Sequence, residues 1–323
     1  GATNLVLDAF TYDAVGSTVS HVATNATNGA SSANDFVYDA RGRLIQANTT
    51  LYKINALEQR IEKQGFGADT PSGTRHFVYD EAGHLIGEYD PVSGNAMIEH
   101  VWLESMPVAA IKGNQTYYVY PDHLGTPRAI TDTNDNTVWY WNYDEPFGAT
   151  EANENPNGTG TFTYNLRFPG QYFDSETGLH YNWHRDYNPA NGKYIQSDPI
   201  GLDGGINTYT YAENNPLIFI DSTGEVAFLP PAIAALLRKA VINCIKGALS
   251  GLAVEGAIQY YKNDECEKFN KCDLAVSAAA SCIASVAFPT KGMPVSWTIL
   301  KEMLKKLGLG GFIKQFGKFG CSI

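Results

Sequence analysis

The sequence predicts a mainly β protein, built from repeated hairpins in an antiparallel sheet, followed by a small mainly α C-terminal domain. Three observations carry this reading. Residues 1–225 alternate short aromatic or β-branched runs with Gly, Asp, Asn and Pro, and the chain holds 19 Tyr and 15 Phe. One ten-residue pattern returns, as Phe36-Val37-Tyr38-Asp39-Ala40-Arg41-Gly42-Arg43-Leu44-Ile45 and as Phe77-Val78-Tyr79-Asp80-Glu81-Ala82-Gly83-His84-Leu85-Ile86. After residue 225 the hydrophobic period changes from two to about 3.6.

The repeat unit has a plain physical logic. An alternating strand runs into an Asp that can bond its own turn backbone, and a Gly then takes positive φ before the return strand. Tyr12-Asp13-Ala14-Val15-Gly16 is a first, weaker copy, followed by a polar Asn/Thr/Ser/Ala stretch to Asn34 that reads as a loop. Residues 52–61 are a degenerate copy with Glu58 at the glycine position. A single hairpin cannot bury its apolar face, so neighbours are expected to stack into a continuous sheet. Spacing alone also allows a sandwich or a propeller.

Residues 165–224 are the most heavily punctuated stretch. A strand, a turn at residues 175–178 and a returning strand are expected first, and residues 188–192 repeat that plan. His180 and His184 read as strand residues sharing a face. With no HExxH pattern and no Cys nearby they are structural histidines, and neither a metal site nor a cofactor is expected. Asp122-His123 reads as a hydrogen-bonded pair fixing a loop.

Ordered motifs then accumulate: Tyr120-Pro121-Asp122-His123-Leu124-Gly125-Thr126-Pro127-Arg128, Tyr143-Asp144-Glu145-Pro146-Phe147-Gly148, Arg167-Phe168-Pro169-Gly170-Gln171-Tyr172, Glu176-Thr177-Gly178-Leu179-His180-Tyr181-Asn182, Asp198-Pro199-Ile200-Gly201-Leu202, Asn214-Asn215-Pro216 and Asp221-Ser222-Thr223-Gly224. Over residues 30–224 the chain resembles the RHS/YD-repeat core of bacterial polymorphic toxins and related insecticidal toxin-complex subunits. The resemblance implies YD-repeat hairpins over residues 1–110 and an RHS-associated core over 111–225, winding as a spiral shell with a plug. Residues 226–323, which it does not cover, would be a variable C-terminal passenger inside that shell. It also implies the tail of a longer bacterial polypeptide that is secreted or held at the cell surface and delivered to a target cell. An immunity protein is an expected partner. No signal peptide is visible before residue 30.

Such cores resemble intramolecular aspartyl proteases that cut just after the closing DPxGL element. Two carboxylates in a dry site share a proton, so one can activate water while the other protonates the leaving group. Asp198 and Asp221 fall on the two motifs, and Arg185 on the arginine that can hold a carboxylate ionised. The chain departs from the pattern at Ser222 (for Pro), at Glu225 (for the Leu before the cut) and at Asn215, where some cleaving members place an aspartate. Without cleavage, both aspartates would simply cap turns.

Charge divides the chain at the same place. Residues 226–323 carry twelve Lys or Arg against six Asp or Glu, a formal +6, which leaves −17 for residues 1–225. All five cysteines follow the boundary, and all seven histidines precede it. Residues 231–261 are expected as one amphipathic helix and 273–288 as a second, joined by the cysteine-bearing loop 262–272. Residues 274–290 lack charge but are only 17 long, at the lower limit for a membrane span. The Lys-rich apolar tail resembles interfacial segments, so a target-cell membrane is one expected partner and an ordinary helical bundle the alternative. Nothing indicates nucleic acid, and no nucleophile–base pair is readable there. A toxin-delivery protein is the leading reading, against a structural or adhesive surface protein with a non-catalytic plug, or a glycan-binding module.

Overall fold

The computed structural model describes residues 6–25, 29–65, 74–142 and 144–230. The expected C-terminal helices, residues 231–261 and 273–288, lie outside the described residues. Among those described, thirteen strands form one antiparallel meander in chain order. They are β1 (Val6–Tyr12), β2 (Thr18–Asn25), β3 (Ser31–Tyr38), β4 (Leu44–Ala47), β5 (Thr50–Ile54), β6 (Arg60–Gln64), β7 (Thr74–Tyr79), β8 (Leu85–Tyr89), β9 (Ala96–Leu103), β10 (Met106–Lys112), β11 (Gln115–Pro121), β12 (Pro127–Thr131) and β13 (Thr137–Tyr140). A second sheet follows, with β14 (Tyr172–Asp174), β15 (Leu179–Asn182), β16 (Arg185–Asn188) and β17 (Lys193–Tyr194) again in sequential antiparallel order. Among the described residues, helix is limited to short 3-10 turns such as Gly201–Gly204.

The hairpin turns follow the sequence logic atom by atom. In the Asp39 and Asp80 turns, one carboxylate oxygen accepts from the backbone N–H groups two and four residues on. Gly42 and Gly83 stand at φ 78° and 87°, and the register shifts by one residue beside each turn. The degenerate copy uses Asn55 in the Asp role and holds Glu58 at φ 66°. Two further turns built the same way start at Asp122 and Asp132. Asp122 therefore acts on Leu124, Thr126 and Arg128, while His123 points its Nε2 at the Leu217 carbonyl, 3.0 Å away. The expected Asp122–His123 pairing is replaced by two separate anchors of the same loop.

Strand alternation then sorts the side chains. Phe36 and Phe77 are buried, whereas Val37 and Val78 between them and the tyrosines are exposed. The inward row of the large sheet (Phe77, Leu85, Ile98, Ala110, Val119, Ile130, Trp139) packs against Phe162, Tyr164, Phe168, Tyr172, Tyr181 and Tyr187 of the following segment. A second cluster joins Phe36, Leu44, Ala47 and Tyr52 to Leu179 and Ile195. The small sheet therefore covers the inward face of the large one, and its own strands β15 and β16 are buried throughout.

Two expectations are corrected. The polar stretch before Asn34 is not a loop, since β2 and the first half of β3 lie in it and pair in regular register. Strand pairing is made by the main chain, so Thr, Ser, Ala and Asn suffice where a strand has little apolar surface to bury. His180 and His184 do not share a strand face, because Trp183, at φ 55°, turns the chain between β15 and β16.

Candidate functional site

The second sheet delivers Arg185 to the end of a loop that carries both expected aspartates. Arg185 begins β16 and is about 2% exposed. One of its terminal nitrogens, Nη2, lies 2.9 Å from Asp198 Oδ2 and 3.3 Å from Asp221 Oδ2. Its Nε donates to the Gly224 carbonyl, its Nη1 donates to the Thr208 carbonyl at 3.0 Å, and its guanidinium lies 3.7 Å above the Tyr194 ring. A charge this deep is tolerated because every side of it meets an acceptor or a π face.

Asp221 is the most heavily bonded member. Its Oδ1 accepts from the Gly224 and Glu225 N–H groups at 2.9 and 3.0 Å, and its Oδ2 accepts the Tyr194 hydroxyl at 2.8 Å. Asn182 donates from Nδ2 both to Tyr194 Oη and to the Asp221 carbonyl. Residues 221–225 are thereby wound around the Asp221 carboxylate, which brings Glu225 back to the pair. Asp198 is differently placed. Its Oδ1 accepts from Ile200 N–H, and burial pushes its carboxyl up against the pull of Arg185. Burial also holds the Tyr194 phenol, beside Asp221, well above its ordinary range.

Gly204 shows where Glu225 sits relative to Asp198. A Cβ added there would lie 2.4 Å from Asp198 Oδ2 and 2.8 Å from the Glu225 carbonyl oxygen. The carboxyl and the carbonyl therefore converge on one glycine Cα. Gly170 and Gly224 are equally tight, against the Ser222 carbonyl and the Asn182 carbonyl. Sequence reading named Asp198, Asp221 and Arg185, and the structure brings all three together. It missed Tyr194, Asn182 and Gly204. The Gly204-Gly205 dipeptide after the Asp198 motif was the one available signal, and nothing local marks Tyr194 among so many tyrosines. Among the described residues, no group of three or more His, Cys, Asp or Glu is arranged to hold a metal.

Asp-capped hairpins strung into one sheet, closed by a tyrosine-rich cap with a buried arginine between two aspartates, define a YD-repeat protein with its core. Residues 105–217 match the family model described as Teneurin YD-shell. The double-stranded DNA deaminase toxin A of Burkholderia cenocepacia is 31% identical over 201 residues, covering 58% of this chain and 14% of that protein. Toxin protein Tse5 of Pseudomonas aeruginosa is 36% identical over 141 residues, covering 44% of this chain and 10% of its own. Among solved structures, the Photorhabdus luminescens Tc holotoxin pore has a TM-score of 0.44 at 16% identity, covering 67% of this chain and 13% of that one. This chain is an RHS/YD-repeat shell protein, and it spans about a seventh or less of the length of these relatives.

Proposed function

We propose that this chain is the C-terminal part of a bacterial polymorphic toxin whose core cuts the peptide bond after Glu225 and frees residues 226–323 as the effector. One observation carries the reading. The paired carboxylates Asp198 and Asp221 flank a single Arg185 nitrogen beside the residue that would precede the cut.

In the proposed chemistry Asp221 takes a proton from water as the oxygen attacks the Glu225 carbonyl. Asp198, whose burial favours the protonated form, delivers its proton to the departing Val226 nitrogen. The products are a carboxyl on Glu225 and a free amine on Val226, and the two carboxyls exchange protonation states. Arg185 and the Asp221-capped turn hold the peptide in place, so that the attack is intramolecular in effect. The relatives' names, a DNA deaminase toxin and a toxin protein, support the toxin class. The +6 charge of residues 226–323 and the roughly 3.6-residue spacing of apolar residues in their sequence favour a membrane-binding effector, secreted and delivered to a target cell.

The test is to purify the full chain with Asp198 intact and as Asp198→Asn, and to weigh the products. Two fragments meeting at residues 225 and 226 are expected from the first and a single whole chain from the second. A wild-type chain that stays whole refutes self-cleavage and leaves the core as a plug. Dye leakage from anionic but not neutral liposomes checks the effector reading separately.

A further inference from the structure

Glu225 departs from the apolar residue that the resemblance implies before the cut, and its surroundings contain a matching departure. His184 occupies the turn between β15 and β16. Its Nδ1 lies 2.8 Å from the Thr223 carbonyl, and its backbone N–H donates to that same carbonyl at 3.1 Å. Its Nε2 lies 3.3 Å from Glu58 Oε2, and the Glu225 carboxylate is 3.8 Å from Nδ1. Each ring nitrogen therefore faces an acceptor, and the carboxylates of Glu58 and Glu225 both lie within 3.8 Å of the ring. Glu58 is itself turned toward Arg41, 2.9 Å away, so the groups facing the ring are Glu58, Glu225 and, behind Glu58, Arg41.

The ring is also held rigidly. Trp183 stacks on it at 5.6 Å and 8°, and Trp183 donates from its indole nitrogen to the Leu57 carbonyl. Gly83, in the β7–β8 turn, makes room for that indole, since a Cβ there would come within 2.1 Å of it. Glu58 stands at φ 66° in the glycine position of the degenerate repeat, a costly place for a side chain unless it does something. Two irregularities of the sequence, Glu58 and Glu225, therefore meet at one residue, His184.

We propose that His184, backed by Glu58, forms a subsite that recognises an acidic side chain at position 225 and so sets the register of the 221–225 loop. His184 is a positioning residue, since it touches the peptide next to the proposed cut and not the carboxylate pair. Its role in cleavage rests on the self-cleavage reading, but the recognition itself does not.

The experiment uses the full chain carrying Asp198→Asn, which keeps the peptide whole, and follows amide hydrogen exchange over residues 221–226 by mass spectrometry. His184→Gln, which keeps a donor but removes the ring, and Glu225→Gln are each expected to speed exchange about fivefold, the upper end for a partly exposed polar pair. The double variant should exchange no faster than either single one, because both remove the same contact. Effects that multiply in the double variant, or no effect in either single one, overturn the subsite. Fragment masses from the Asp198 chain are scored apart. If that chain never cuts, self-cleavage fails, while the exchange result still decides the subsite.

Discussion

Arg60 of β6 donates from Nη1 to Asp174 of β14 across 2.6 Å, and both side chains are about 1% exposed. This pair fastens the second sheet to the inward face of the first. Arg60 also reaches Asp186 at 3.2 Å and lies between the Tyr52 and Tyr181 rings, 4.0 Å from each centroid. Lys63 adds a second cation to Asp174 at 2.8 Å. Removing Arg60 strands buried carboxylates, so Arg60→Ala should destabilise the described unit by about 3–5 kcal/mol. Urea unfolding followed by near-UV circular dichroism checks this, and a loss below about 1 kcal/mol would contradict it.

Asp186 gives this junction a pH dependence. Burial pushes its carboxyl up to about 6, against the pull of Arg60 and the hydrogen bond from Gln196. The unfolded carboxyl titrates near about 3.9. Between these values the folded chain holds a proton that the unfolded chain has released, so this group's contribution to stability falls as pH rises from roughly 4 to 6. Asp186→Asn removes that slope. The wild-type chain should therefore gain on the variant when urea midpoints are compared at about pH 6.5 and then at about pH 4.5. A difference that stays constant between the two would refute the assignment.

The repeat glycines should separate into two classes. Gly42 and Gly83 both stand at positive φ, but a Cβ at Gly42 meets open space, whereas one at Gly83 strikes Trp183. Gly42→Ala should therefore cost only the left-handed backbone strain, about 1–2 kcal/mol. Gly83→Ala should add an overpacking penalty of about 1–3 kcal/mol. Thermal melts of the two variants decide it, and equal losses would mean that Trp183 moves aside freely.

Gly204 offers a way to stop the proposed cut without touching a carboxylate. A methyl group at residue 204 would crowd Asp198 Oδ2 and the Glu225 carbonyl together. Gly204→Ala should slow appearance of the fragments by tenfold or more, a change of about 1.4 kcal/mol in barrier, with an unaltered far-UV spectrum. A variant cutting at the wild-type rate would show that Gly204 does not set this geometry.

What the sequence determined by itself is the local part of the structure. Asp39, Asp80 and Asn55 bond backbone only two and four residues away, and the positive φ of Gly42 and Gly83 is a property of a residue without a Cβ. These interactions are complete within one hairpin, so their pattern is written along the chain. The motifs bearing Arg185, Asp198 and Asp221 were legible too, through resemblance, although their meeting at one nitrogen was not. Tertiary structure alone decided that β2 and the first half of β3 are strand despite their polar composition, because ladder hydrogen bonds belong to the main chain and leave little trace in side-chain pattern. It alone joined Arg60 to Asp174 and Asp186 across 114 and 126 residues, and placed Glu58 beside His184. Pairings over such separations depend on two sheets closing face to face, where burial removes water and leaves each charge only the partners that packing brings to it.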